Sequence, residues 1–399
     1  MSPVPAPKPN AFPDPAMGEP FLLTPGPLTT ALSVKEAMLR DWGSWDGDFR
    51  AMTKSMCDQL VALAGDTSGE FVCVPMQGSG SYCVEAMLGT FVPRDGKVLV
   101  LANGAYGLRA AETMRYLGRA YTLIDKGDYM PPRGDEVGAA LDADPEITHV
   151  IAIHCETSSG ILNPVAEIAE AVAARGRKLL IDSMSAFGAI DLDVNRIRYE
   201  AMVSSANKCI EGVPGFGFVI ARRSELEGCR GNAHSLSLDV FAQWANLEKT
   251  GQWRYTPPTH VVAAFLEALR IHTEEGGVAG RGARYAHNRD VMVAGMRALG
   301  FETLLKDRWL SPIIVTFFCP ADPNFVFQRF YELMKDKGFI IYPGKLTVVE
   351  SFRVGCIGRM DEAVMTRVVA AAAEALAELG VASAAPPAAA LAERAKLAA

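Results

Sequence analysis

Residues 148–184 read THVIAIHCETSSGILNPVAEIAEAVAARGRKLLIDSM. The stretch opens with a continuous apolar run, THVIAIHCE (148–156), and continues through small and polar residues. It then becomes PVAEIAEAVAARG (164–176), where apolar residues recur at helical spacing, and closes with a second short apolar run, KLLIDSM (178–184). A strand with no polar alternate face must be covered on both sides, and such strands belong to parallel sheets flanked by helices. A strand–helix–strand unit of this kind places the chain in the α/β class.

The alternation extends outward in both directions. EFVCVPM (70–76), KVLVLAN (97–103), AYTLID (120–125), AMVSSAN (201–207) and GFGFVIAR (215–222) read as strands. SYCVEAMLGTF (81–91) and AAETMRYLG (110–118) read as helices between them. The expectation is a large domain with a mostly parallel central sheet covered by helices. After residue 258 two long helical stretches follow, 260–277 and 283–300, the first of which is expected to bridge to a second domain. Alternation then resumes in SPIIVTFFC (311–319), NFVFQRFYELMKDKG (324–338), FIIYPG (339–344) and SFRVGCIG (351–358), a smaller α+β domain. The expected division is an extended proline-rich arm over 1–20, the large α/β domain over 21–258, the bridging helix and small domain over 259–379, and a loosely held alanine-rich tail over 380–399.

Composition limits the function classes. The 399 residues are 49% hydrophobic and 21% charged, which suits a folded protein with a large core. A net charge of −7 without a lysine or arginine run excludes a nucleic-acid footprint. No apolar run reaches the roughly 20 residues that span a bilayer, so no membrane association is expected. Eight cysteines show neither C-x-x-C pairs nor zinc spacing. No metal site is expected, and the cysteines read as small hydrophobes in a reducing compartment. A cytoplasmic protein follows from these readings.

In an open parallel sheet, ligands bind beyond the carboxyl ends of the strands. Three features belong at that edge. The loop QGSGSYCVEA (77–86) joins a strand to a helix, and Ser79, Gly80 and Ser81 can cradle an anion on the first helical N–H groups. Alone, the loop reads equally well as a tight turn, because neither the dinucleotide fingerprint nor the P-loop spacing is met. Asp182 ends KLLID, where an aspartate is costly to bury without a cation or donor. Lys208 stands in SSANKCIEGVPG (204–215) among small residues, just before a glycine-rich turn. A lysine desolvated there has a lowered pKa and becomes an amine nucleophile.

Together the three suggest pyridoxal 5′-phosphate. That cofactor needs an amine for its Schiff base, an acid beside its ring nitrogen and a cradle for its phosphate. Tyr106 in NGAYG is the candidate to stack on the ring. Arg353, in the middle of the apolar FRVGCIG, calls for an anion, and its planar fork matches a carboxylate or phosphonate. A structural salt bridge is the competing reading.

The motifs LLTPGPLTT, QGSGSY, NGAYG, SSANKCIEGVPGFGFVIAR, SLSLD, WRYTPPTH and IYPGK resemble the 2-aminoethylphosphonate–pyruvate transaminase family. That family lies within the class V, fold-type-I pyridoxal-phosphate aminotransferases, and the resemblance runs from about residue 21 to about 378. It implies a homodimer with Lys208 as the Schiff-base lysine and general base, and Asp182 as partner of the ring nitrogen. It also implies Tyr106 on the ring, and Ser79, Gly80 and Ser81 on the phosphate together with Thr256 of the neighbouring subunit. Thr157 and Ser158 would lie near the ring's 3-oxygen, and Arg353 would hold the phosphonate or carboxylate of the substrates. The implied reaction moves an amino group from 2-aminoethylphosphonate to pyruvate, giving phosphonoacetaldehyde and L-alanine. Alanine–glyoxylate and serine–pyruvate aminotransferases share the class and remain alternatives, as does a non-catalytic phosphate-binding module.

Overall fold

Seven apolar runs form one sheet: β1 (Phe71–Gln77), β2 (Lys97–Ala102), β3 (Ala120–Asp125), β4 (Ile147–Ile153), β5 (Lys178–Asp182), β6 (Ala201–Ser205) and β7 (Phe216–Arg222). The computed structural model describes residues 15, 17–345 and 349–397, so most of the expected N-terminal arm lies outside the described residues. Strand order is β1-β7-β6-β5-β4-β2-β3. All neighbours run parallel except β7, which is antiparallel to both β1 and β6.

Side chains alternate between two cores, as the pleat requires. Val98 and Val100 face one core with α1 (Gly80–Phe91) and α2 (Ala105–Tyr116). Leu99 and Leu101 face the other with α3 (Val165–Ala173) and α4 (Thr259–Glu274). Covering both faces explains why these strands read as unbroken apolar runs. Edge strand β3 is the exception, with much of its surface exposed.

The smaller core is built around phenylalanines. Strand β8 (Ile314–Phe318) pairs antiparallel with β10 (Ser351–Gly355), and β10 with β9 (Tyr342–Pro343). The ring of Phe352 lies 5.4–5.7 Å from those of Phe301, Phe317 and Phe330, distances at which aromatic pairs attract beyond their buried area.

Three expectations change here. Helix α4 does not bridge, because Val262, Phe265 and Leu269 all pack into the larger core. The 22-residue helix α5 (Gly277–Ala298) carries Met292, Val293 and Met296 into the smaller core instead. Phe21–Leu22, expected in the large domain, pairs with Phe339–Ile340 and packs in the small core. The alanine-rich tail is not loose. Pro386 and Pro387 precede a helix, Ala388–Leu397, at positions where no N–H is needed. Ala390 of that helix is buried in the small core.

Candidate active site

The carboxyl ends of β1, β5 and β6 open on a cavity of about 580 Å³. Strand β7 runs the other way, so its start, rather than its end, reaches this edge. The chain therefore leaves β6, passes through Lys208 and turns straight into β7, with Pro214 and Gly215 on the cavity wall. That topology is why a lysine precedes a glycine-rich turn.

Lys208, Asp182, Ser79, Gly80, Ser81 and Tyr106 all line the cavity. Burial draws the Lys208 ammonium down to about 8, against a smaller upward pull from Cys209, Asp182 and Cys155. Its Nζ donates to the carbonyl of Pro25 at 2.7 Å. Gly26, in the left-handed region at φ +118°, allows this approach: a Cβ there would lie 2.7 Å from Nζ. Asp182 sits on the neighbouring strand, and burial pushes its carboxyl up to about 6. One of its oxygens, Oδ1, accepts the N–H of Met184 at 3.0 Å, which partly offsets that burial.

The loop expected to cradle a phosphate leads into a helix terminus on the cavity wall. Helix α1 begins at Gly80, and Ser79 before it makes no side-chain cap. The N-terminal N–H groups of a helix lack intrahelical acceptors and carry its positive end. Arg109 Nη1 donates to Ser81 Oγ at 3.1 Å and adds a cation to the same wall. A desolvated amine, a buried acid and an uncapped helix terminus in one cavity fit the pyridoxal-phosphate requirements. Among the described residues, no group of three His, Cys, Asp or Glu side chains is placed to hold a metal.

The remaining expected residues lie elsewhere. Thr157 and Ser158 are buried behind the cavity and do not line it. Ser158 Oγ donates to Glu156 Oε1 at 2.6 Å and accepts the Ala105 N–H at 3.1 Å, so its hydroxyl is committed. Arg353 is buried on β10, where Nε donates to the Pro343 carbonyl at 3.0 Å and Nη1 to the Thr157 carbonyl at 2.8 Å. Among the described residues it has no carboxylate partner. Thr256 is exposed and lies off the cavity of its own chain.

Sequence reasoning did not single out Glu156, Pro25 or Glu211. Glu156 is fully buried and accepts the N–H groups of Tyr106 and Gly107 at 3.0 and 3.2 Å, which fixes the start of α2 and hence Tyr106. An acid closing the apolar run THVIAIHCE was the available signal. Glu211 ends the turn that begins at Lys208 and donates its N–H to the Lys208 carbonyl at 2.7 Å. It holds φ 63°, a left-handed conformation that costs an L residue about 1–2 kcal/mol. Its carboxylate is locked by Arg284 at 2.8 Å and by the Tyr285 hydroxyl at 2.6 Å. The Lys208 turn is thus pinned from α5.

The layered sheet and a lysine at its carboxyl edge define the architecture of a fold-type-I aminotransferase. The chain belongs to the class-V aminotransferase family, whose model matches residues 81–322, and the family works with pyridoxal phosphate. It is 76% identical over 383 residues to a 2-aminoethylphosphonate–pyruvate transaminase of Rhizobium meliloti (strain 1021), covering 96% of this chain and 100% of the relative. A 2-aminoethylphosphonate–pyruvate transaminase 1 of Paraburkholderia xenovorans (strain LB400) is 70% identical, covering 96% and 99%. Among solved structures, a pyridoxamine–pyruvate aminotransferase from Mesorhizobium loti superposes with a TM-score of 0.82 at 23% identity, over 92% of this chain and 94% of that one.

Proposed function

We propose that this protein transfers the amino group of 2-aminoethylphosphonate to pyruvate, giving phosphonoacetaldehyde and L-alanine. The observation that carries the reading is Lys208, a desolvated amine sharing one cavity with Asp182 and the α1 terminus. The names of the two relatives support the choice of donor and acceptor.

Lys208 would hold pyridoxal phosphate covalently, Asp182 its ring nitrogen, and Ser79, Gly80 and Ser81 its phosphate, with Tyr106 against the ring. When bound, the cofactor supplies an electron sink for negative charge at the amine-bearing carbon. The chain's own groups do the rest. An ionised Asp182 would keep the cofactor's ring nitrogen protonated. Lys208 Nζ, once free, takes the proton from the substrate's aminomethylene carbon, a role suited to an amine drawn towards neutral pH. Arg353 would take the phosphonate or carboxylate end.

The same proposal includes a homodimer in which Thr256 serves the neighbouring subunit's phosphate site. Its exposure and its distance from the cavity of its own chain support that role. A cytoplasmic location is likewise proposed, supported by eight unpaired cysteines; no described helix is long and apolar enough to cross a membrane.

The test is the visible spectrum of the purified holoenzyme. Adding 2-aminoethylphosphonate should convert the absorbance of the lysine-bound cofactor to that of its amine form, and pyruvate should restore it. A spectrum that alanine shifts but 2-aminoethylphosphonate leaves unchanged would overturn the substrate assignment.

A further inference from the structure

Lys345 follows β9 on the small domain, yet its Nζ lies 5.5 Å from the centre of the Tyr106 ring on the cavity wall. The guanidinium carbon of Arg109 lies 5.1 Å from the same ring. Arg353 stands opposite Tyr342 in the β9–β10 register, with its guanidinium 5.6 Å from that ring. Lys345 and Arg109 thus share the Tyr106 ring, and Arg353 is near enough to Lys345 for its charge to act on that ammonium.

The acid nearest them is already committed. Glu156 Oε1 accepts from the N–H and hydroxyl of Ser158, and Oε2 accepts from the N–H groups of Tyr106 and Gly107. Among the described residues, neither Lys345 nor Arg353 has a carboxylate partner. Burial, with the charges of Arg109 and Arg353, holds the Lys345 ammonium below the ordinary lysine range. Like charges gathered without a free acid suit a ligand carrying more than one negative charge.

The oxygen count makes the assignment specific. A guanidinium fork engages two oxygens of an anion side by side. A carboxylate is then satisfied, whereas a phosphonate has a third oxygen and, when fully ionised, a second charge. An ammonium beside the fork is suited to both.

We propose that Lys345 is a specificity-determining residue that binds the third phosphonate oxygen and so favours doubly charged acids over carboxylates. This rests on the substrate reading above and assigns the discrimination within it to one side chain of the small domain.

The experiment titrates holoenzyme calorimetrically with ethylphosphonate and with propionate, which share a carbon chain and lack the reacting amine. Wild type should bind ethylphosphonate the more tightly. Lys345→Gln should weaken ethylphosphonate about 10-fold and propionate less than about 2-fold, since only one charged hydrogen bond is lost. Lys345→Arg should retain the preference. In single-turnover work, Lys345→Gln should raise the Kd for 2-aminoethylphosphonate by more than it raises that for alanine. Equal weakening of both ligands, or of neither, refutes the role of Lys345. If wild type fails to transfer the amine of 2-aminoethylphosphonate but keeps a Lys345-dependent preference, the substrate reading fails and the role of Lys345 stands.

Discussion

Glu211 is where stability and catalytic geometry meet most directly. Its carboxylate faces Arg284 at 2.8 Å and Arg281 at 3.6 Å, and Glu275 faces the same pair at 2.6 and 2.8 Å. All four side chains are largely buried, Arg281 completely. Glu211→Gln keeps the shape and removes one of two acids from a pair of buried guanidiniums, so one positive charge is left uncompensated. Breaking a buried pair in this way costs about 3–5 kcal/mol. Backbone strain can be separated from charge. Glu211→Ala loses the carboxylate and still has to hold φ 63°, whereas Glu211→Gly loses it and adopts that φ freely. The glycine variant should therefore be about 1 kcal/mol more stable than the alanine variant. Urea midpoints of the holoenzyme followed by circular dichroism measure both differences. The pH dependence supplies an internal check. Burial opposes ionisation, but Arg284 and Arg281 outweigh it and hold the Glu211 carboxyl down to about 2, from an ordinary value of 4.5. A depressed folded pKa gives stability that is present above 4.5 and lost as the pH falls towards 2. Wild type should lose more stability between those pH values than Glu211→Gln does, because only the Glu211 contribution is removed. A Gln variant within 1 kcal/mol of wild type, or alanine and glycine variants of equal stability, would refute the reasoning.

Other substitutions separate the roles at the site. Lys208→Ala should abolish multiple turnover and the absorbance of the lysine-bound cofactor while leaving the circular dichroism intact; a variant that retains both signals sinks the assignment. Asp182→Asn preserves size and removes the charge, so cofactor can bind, yet single-turnover proton abstraction should slow by several orders of magnitude. A rate within a few-fold of wild type rejects the role of Asp182. Arg353→Lys keeps the charge and loses the fork, so both half-reactions should weaken together by about 1–3 kcal/mol without a change in the cofactor spectrum. Damage confined to the pyruvate half-reaction, measured in rapid mixing, would show that the phosphonate is held elsewhere.

Most of the sheet was legible in the chain because burial on both faces writes itself as unbroken apolar runs, and each run from 70 to 222 became a strand. Lys208, Asp182 and the 79–81 loop were legible for the same reason: each directly follows such a run, and parallel strands put their carboxyl ends on one edge. Local pattern carries no record of what arrives from far along the chain. The Pro25 carbonyl meets Lys208 across 183 positions, and the Arg353 guanidinium meets the Thr157 carbonyl across 196. The reversed direction of β7, the passage of α5 between the cores and the left-handed Glu211 are equally non-local. Hydrophobic periodicity records how much of each residue is buried, and strand order and loop packing decide against what. The sequence by itself therefore determined the layers and the edge at which the cavity opens. Tertiary packing alone decided which cations surround Tyr106, because they come from parts of the chain 236 positions apart and meet only when the cores have formed.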